Sequence, residues 1–99
     1  MPTQPITTTA LKMTVRIKDK VIVAISDSGA AMSIISSKLL RELEIPYTPK
    51  NNAPIQTLNS IEKIIGQTED APIQIGSIKI PHHFHVIESD RDTLLLGMN

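Results

Sequence analysis

Asp27 stands in the hexapeptide Ser26-Asp27-Ser28-Gly29-Ala30-Ala31, between the apolar run Val21 to Ile25 and the segment Met32 to Ile35. Taken alone, Asp-Ser-Gly is turn chemistry: Asp and Ser bond to neighbouring backbone, and Gly takes a positive φ cheaply. The neighbours point elsewhere. A surface turn is usually flanked by polar residues, whereas Ala30 and Ala31 lead straight into Met-Ser-Ile-Ile, so the loop is pressed into a packed region. A carboxylate there is partly desolvated. A desolvated acid close to a like charge is how a protein obtains one neutral and one ionised carboxyl, and such a pair activates water.

Two other sets of residues invite chemistry. His82, His83 and His85 suggest a metal, with His83 and His85 expected on one face of a strand, but no third ligand stands at a convincing spacing. Solvent-facing strand histidines are the simpler reading. Ser28 could serve a serine hydrolase, yet it lacks the strained Gly-x-Ser-x-Gly context of a strand-to-helix elbow.

The elements that must position Asp27 follow from a dominant period of two. Leu11, Met13, Val15 and Ile17 alternate with Lys12, Thr14 and Arg16, which predicts a strand with one face in a core. A polar turn at Lys18 to Lys20 leads back into Val21 to Ile25, which reads as a more fully apolar, central strand. Beyond the Asp27 loop, Ser36 or Ser37 caps a short helix carrying Leu39, Leu40 and Leu43 on one face, and Pro46 stops it. Tyr47 to Pro54 reads as a loop by composition. Pro54 to Leu58 and Lys63 to Gln67 then form a projecting hairpin, Ala71 to Ile80 a second hairpin turning at Gly76 and Ser77, and His83 to Ile87 and Thr93 to Gly97 two further strands. The expected class is mainly β with one short helix.

Composition narrows the function. The chain has 99 residues, enough for one domain with a modest core, and no repeat or internal boundary is visible. With no cysteine there is no disulfide framework, thiolate metal site or cysteine nucleophile. Lys plus Arg and Asp plus Glu balance at ten each without charge runs, which gives no electrostatic footprint for nucleic acid or an anionic membrane. One Tyr, one Phe and no Trp make a base-stacking platform a poor expectation. No stretch has the length of a membrane span, and no metal or cofactor is called for.

The sequence Val21-Ile-Val-Ala-Ile-Ser-Asp-Ser-Gly-Ala30 resembles the active-site strand and loop of retropepsin-like aspartic proteases, and Leu94-Leu-Leu-Gly-Met-Asn99 resembles their second signature of two apolar residues and glycine. Pro54 to Gly66 occupies the place of the flap hairpin, and Thr3 to Ala10 is similar to the N-terminal strand that retroviral members place at their dimer interface. The likeness runs in matching order over nearly the whole chain, and its specificity lies in Asp-Ser-Gly-Ala combined with the later Leu-Leu-Gly.

That resemblance implies a small closed β-barrel with a flap hairpin, spanning residues 1–99 as one protease domain, and an aspartic endopeptidase needing no cofactor. The chemistry requires two carboxylates sharing a proton. Asp19, Asp70, Asp90 and Asp92 lie in polar turn-like segments, so the second acid is expected from another copy of the chain, as a two-fold homodimer supplies it. Asp27 is the expected catalytic residue, Ser28, Gly29 and Ala30 its loop. Ile25, Ala31, Leu58, Asn59, Ser60, Ile61 and Leu95 are expected to bind a peptide or polyprotein substrate of a retroelement, in the cytoplasm or in virus-like particles. A dimeric module of the same fold that binds peptides without cleaving them is the rival reading.

Several positions depart from the family pattern. The hairpin tip reads Leu-Asn-Ser-Ile-Glu-Lys where retroviral flaps are rich in glycine. Ala31 replaces a second acid, Met98 an arginine, and Ser26 an aliphatic residue. The sequence given stops at Asn99, where family members continue into a helix and an interface strand, so a trimmed C-terminus is expected.

Overall fold

A computed structural model describes residues 10–27, 29–30, 32–56 and 61–97. The expected interface segment Thr3 to Thr9 lies outside these. The elements are β1 (Ala10–Ile17), β2 (Lys20–Asp27), β3 (Ile34–Ser36), α1 (Ser37–Leu43), β4 (Thr48–Gln56), β5 (Ile61–Gln67), β6 (Ala71–Ile75), β7 (Ile78–His82), β8 (His85–Ile87) and β9 (Leu94–Gly97). The mainly β class with one short helix is as expected. All nine strands join one sheet in the order β4-β5-β8-β3-β9-β2-β1-β6-β7. Val15 and Ile17 of β1, Ala24 of β2, Ile35 of β3, Ile73 of β6, Val86 of β8, Leu94 and Leu96 of β9 and the helical leucines nevertheless share a single core around Phe84. A flat sheet of this width could not bring strands so far apart in its order onto one core, so it curls into a partial barrel.

The link that matters most for the site is β9. It runs parallel to β2, with Ile25 opposite Leu95, Ser26 opposite Leu96 and Asp27 opposite Gly97, and antiparallel to β3. The last described strand thus inserts between the two strands that the Asp27 loop joins. Because it has neighbours on both edges and packing on both faces, Leu94, Leu95 and Leu96 are all buried, which explains an uninterrupted apolar run where half-buried strands alternate.

Strand β2 departs from its expected character. It is interior to the sheet, between β9 and β1, yet Val21 and Val23 are 61% and 62% exposed. Interior in the hydrogen-bonding direction does not mean covered on both faces, and only Ala24 and Asp27 are buried. Leu11 is likewise 63% exposed, because β1 runs past the core at its N-terminal end. The expected loop from Tyr47 is also corrected: Thr48–Gln56 is a strand. It is the sheet's edge, where Pro49 and Pro54 remove no ladder bond the sheet needs, and its register shifts between Pro49 and Ala53. The strand expected over His83 to Ile87 is shorter, since His82 closes β7 and β8 begins only at His85. His83 and His85 therefore do not share a strand face, although their rings meet edge-on at 5.8 Å.

Of the two capping candidates, Ser36 is the N-cap. Its Oγ accepts from Leu39 N–H at 3.3 Å and from Thr93 N–H at 3.1 Å, so one hydroxyl ties α1 to the start of β9. Ser37 adds a reciprocal pair with the backbone of Ser89. The helix ends before Pro46, at Glu44, which takes a left-handed conformation with φ 56°. Among the described residues no helix is long and apolar enough to cross a membrane.

Ser36 is fully buried, so Ser36→Ala would take the acceptor from the buried Leu39 N–H and the part-buried Thr93 N–H. A loss of about 2 kcal/mol is expected. Urea unfolding of the parent and variant checks this, and equal midpoints would show that the hydroxyl is dispensable.

Candidate active site

Asp27 ends β2 with its side chain 5% exposed. Its Oδ1 accepts the backbone N–H of Gly29 at 2.9 Å, and its carbonyl accepts Ala30 N–H at 3.1 Å. This is the Asx-type turn that Asp-x-Gly encodes. The turn reading is met by these local bonds, and the carboxylate is also buried against the protein.

Beside it lies a small apolar cluster separate from the main core. Ile34, Ile87 and Leu95 are buried, and Ile25, Ala30 and Met32 pack against them. Ile25 and Leu95, both expected at a substrate pocket, are cross-strand partners within it. Ala30 joins the cluster, while Gly29 is exposed at the turn. Of the remaining expected residues, Ser28, Ala31, Leu58, Asn59 and Ser60 lie outside the described residues. The backbone of Ile61 opens β5 opposite Gln56, so the base of the hairpin exists as read.

Three further residues complete the arrangement: Gly97, read as the glycine of the second signature, His82, read only as one of three histidines inviting a metal, and Ser33, which the sequence did not single out. Gly97 is packed beneath the loop: a Cβ placed on it would stand 2.5 Å from Met32 O and 2.8 Å from Ala30 O, both backbone atoms. Ser33 is buried and its Oγ accepts Gly97 N–H at 3.1 Å, while its carbonyl accepts His85 N–H at 2.9 Å. His82 Nε2 lies 2.5 Å from the same Ser33 Oγ. A glycine after Leu-Leu-Leu gives a signal for close backbone approach. The Ser33–His82 contact joins residues 49 positions apart and leaves no local trace. Of the other aspartates, Asp92 pairs with Lys38 at 3.0 Å on the exposed side of α1, which holds its carboxyl below the usual range, and Asp19, Asp70 and Asp90 lie in turns or loops.

Chemically, the described chain offers one buried carboxylate at the end of an interior strand, its loop clamped from below, with apolar side chains at its flank.

Residues 13–99 match a family model described as "gag-polyprotein putative aspartyl protease". Over 90 residues the chain is 31% identical to DNA damage-inducible protein 1 of Neurospora crassa, a match covering 90% of this chain and 20% of that protein. The fold is similar to the retroviral protease-like domain of Ddi1 from Leishmania major, with a TM-score of 0.69 at 22% identity over 90% of this chain and 72% of that one. It is also similar to EIAV protease complexed with the inhibitor HBY-793, with a TM-score of 0.67 at 17% identity over 97% of this chain and 88% of that one.

Gly97→Ala tests the clamp. The added methyl meets backbone rather than a flexible side-chain end, so the loop must move and stability should fall by about 1–3 kcal/mol. Amide resonances from Asp27 to Ser33 should shift with it. Unchanged spectra and an unchanged unfolding midpoint would show that the loop has room to spare.

Proposed function

Because the chain belongs to the retropepsin-like aspartic protease family, we propose that two copies of it form one endopeptidase, with Asp27 of each copy contributing to a shared acid pair. The observation that carries this reading is the buried Asp27 at the end of β2, in a loop locked by its own Asx turn and by Gly97 below it. The other aspartates stand in turns and loops, so a second acid has to come from another copy. A two-fold axis through the loops brings identical residues face to face.

In such a pair the two carboxyls lie about 3 Å apart and cannot both ionise. The ionised Asp27 takes a proton from a water as its oxygen attacks the scissile carbonyl carbon, and the protonated mate hydrogen-bonds the carbonyl oxygen. Collapse of the tetrahedral species breaks the C–N bond as the departing amine takes up a proton from the pair. No covalent intermediate with the enzyme forms. Ile25 and Leu95, beside Asp27, favour apolar side chains next to the cleaved bond. The β4–β5 hairpin is suited to cover an extended peptide and exclude water. The substrate class proposed is a polyprotein segment, which the family description supports.

Asp27→Asn should abolish pepstatin-sensitive cleavage of an apolar peptide library while leaving the unfolding midpoint near that of the parent, since an amide cannot act as the base. Cleavage at parental rate by the variant would remove Asp27 from the mechanism. Specific activity should also fall on dilution, in step with the dimer fraction measured by sedimentation, because each copy carries half the site. Constant specific activity in a sample shown to be monomeric would refute the shared site, and a stable dimer that cleaves nothing would favour the peptide-binding module.

A further inference from the structure

Ser33 Oγ sits at a junction. Gly97 N–H can only donate, so the oxygen accepts there at 3.1 Å, and the hydroxyl hydrogen remains to be placed. His82 Nε2 is 2.5 Å away, and among the described residues Ser33 Oγ has no third side-chain or backbone partner. With Nε2 unprotonated the hydroxyl donates to it and all three groups are satisfied. With Nε2 protonated the ring becomes a donor, the oxygen accepts from two donors at once, and the hydroxyl loses the acceptor to which its own hydrogen was directed. The hydroxyl that must reorient is the one holding Gly97, which lies opposite Asp27 and under the carbonyls of Ala30 and Met32.

We infer that His82, acting through the Ser33 hydroxyl, is a positioning residue for the Asp27 loop, and that proton uptake by His82 loosens that loop. The catalytic consequence holds only if Asp27 is the acid of a peptidase, as proposed above; the clamp itself does not require that reading. Protons have access, because Met32, Ser33, Asp70 and the three histidines line a surface cavity of about 440 Å³.

The charges facing His82 agree in direction. Burial first, and then the neighbouring His83, push its proton affinity down, while Asp70, from the segment before β6, opposes them more weakly. Phe84, whose ring centroid is 5.3 Å from that of His82, adds an apolar neighbour. His85 at the start of β8 is depressed too, by burial, by His83 and by Lys50, so it adds little positive charge in the neutral range. A histidine with a lowered folded pKa binds a proton more weakly in the folded chain than in the unfolded one. Its support for the fold is therefore complete above the ordinary imidazole range and is lost as pH falls towards the folded value.

The test is to follow the His82 ring and the Gly97 amide together by NMR on the full chain, from mildly alkaline to mildly acidic pH. In the parent, the Gly97 amide should titrate with the midpoint of His82. In His82→Gln, whose amide oxygen can still accept from Ser33 but does not titrate, the Gly97 resonance should stay flat across the same range. Ser33→Ala should likewise abolish the Gly97 response while His82 continues to titrate. A Gly97 resonance that does not move in the parent, or moves equally in His82→Gln, overturns the inference, and the parent measurement decides the matter even if a variant fails to fold.

Peptide cleavage supplies the second readout. His82→Gln should keep the neutral-pH rate and extend activity to lower pH, whereas His82→Phe, which removes the acceptor, should lower kcat about tenfold at every pH with KM little changed. Identical pH profiles for parent, His82→Gln and His82→Phe would overturn the positioning role. Coupled titration in a chain that cleaves no peptide would support the clamp and overturn the peptidase reading alone.

Discussion

The insertion of β9 between β2 and β3 is the constraint on which the rest of the site depends. The Asp27 loop joins two strands that are not neighbours, so it has to cross the end of the strand between them. Crossing at that height requires the strand to end in a residue without a side chain, and Gly97 meets the requirement, since Met32 O and Ala30 O stand where a Cβ would have to go. The carboxylate's position is thereby fixed by backbone against backbone, which deforms less readily than side-chain packing.

Hydroxyl groups hold this crossing together. Ser33, Ser36, Ser37 and Thr68 are buried, and each bonds to backbone of a distant segment: Ser33 to Gly97, Ser36 to Thr93, Ser37 to Ser89 and Thr68 to Phe84. Among the described residues no buried side-chain polar atom lacks a partner. A small core of branched aliphatics around a single phenylalanine gives cohesion but little directionality. Short polar side chains, each with a specified acceptor or donor, set which strands lie next to which.

Asp27, its Asx turn, the β1–β2 hairpin and the capping role of Ser36 were all legible in the sequence, because each rests on residues within a few positions of one another. The family likeness put Ile25 and Leu95 at one pocket, but their pairing across β2 and β9 was not legible, because it joins residues far apart in the chain. Tyr47 to Pro54 misled, since prolines and asparagines signal a loop until an edge position makes them harmless. Val21 and Val23 misled for the opposite reason: hydrophobicity was read as burial, when an interior strand can still turn one face to water. The Ser33 to His82 contact had no local signature at all, because the fold alone brings those residues together.

The placement of β9 also sets an order of assembly. Its pairs with β2 reach across most of the chain, and such contacts form only after a large closure entropy has been overcome. During synthesis, β1, β2, β3 and α1 emerge well before the strand that must enter between them. Until it does, the Asp27 loop has nothing beneath it and no glycine to rest on. A growing chain therefore carries its acid in an unshaped loop until β9 has been made.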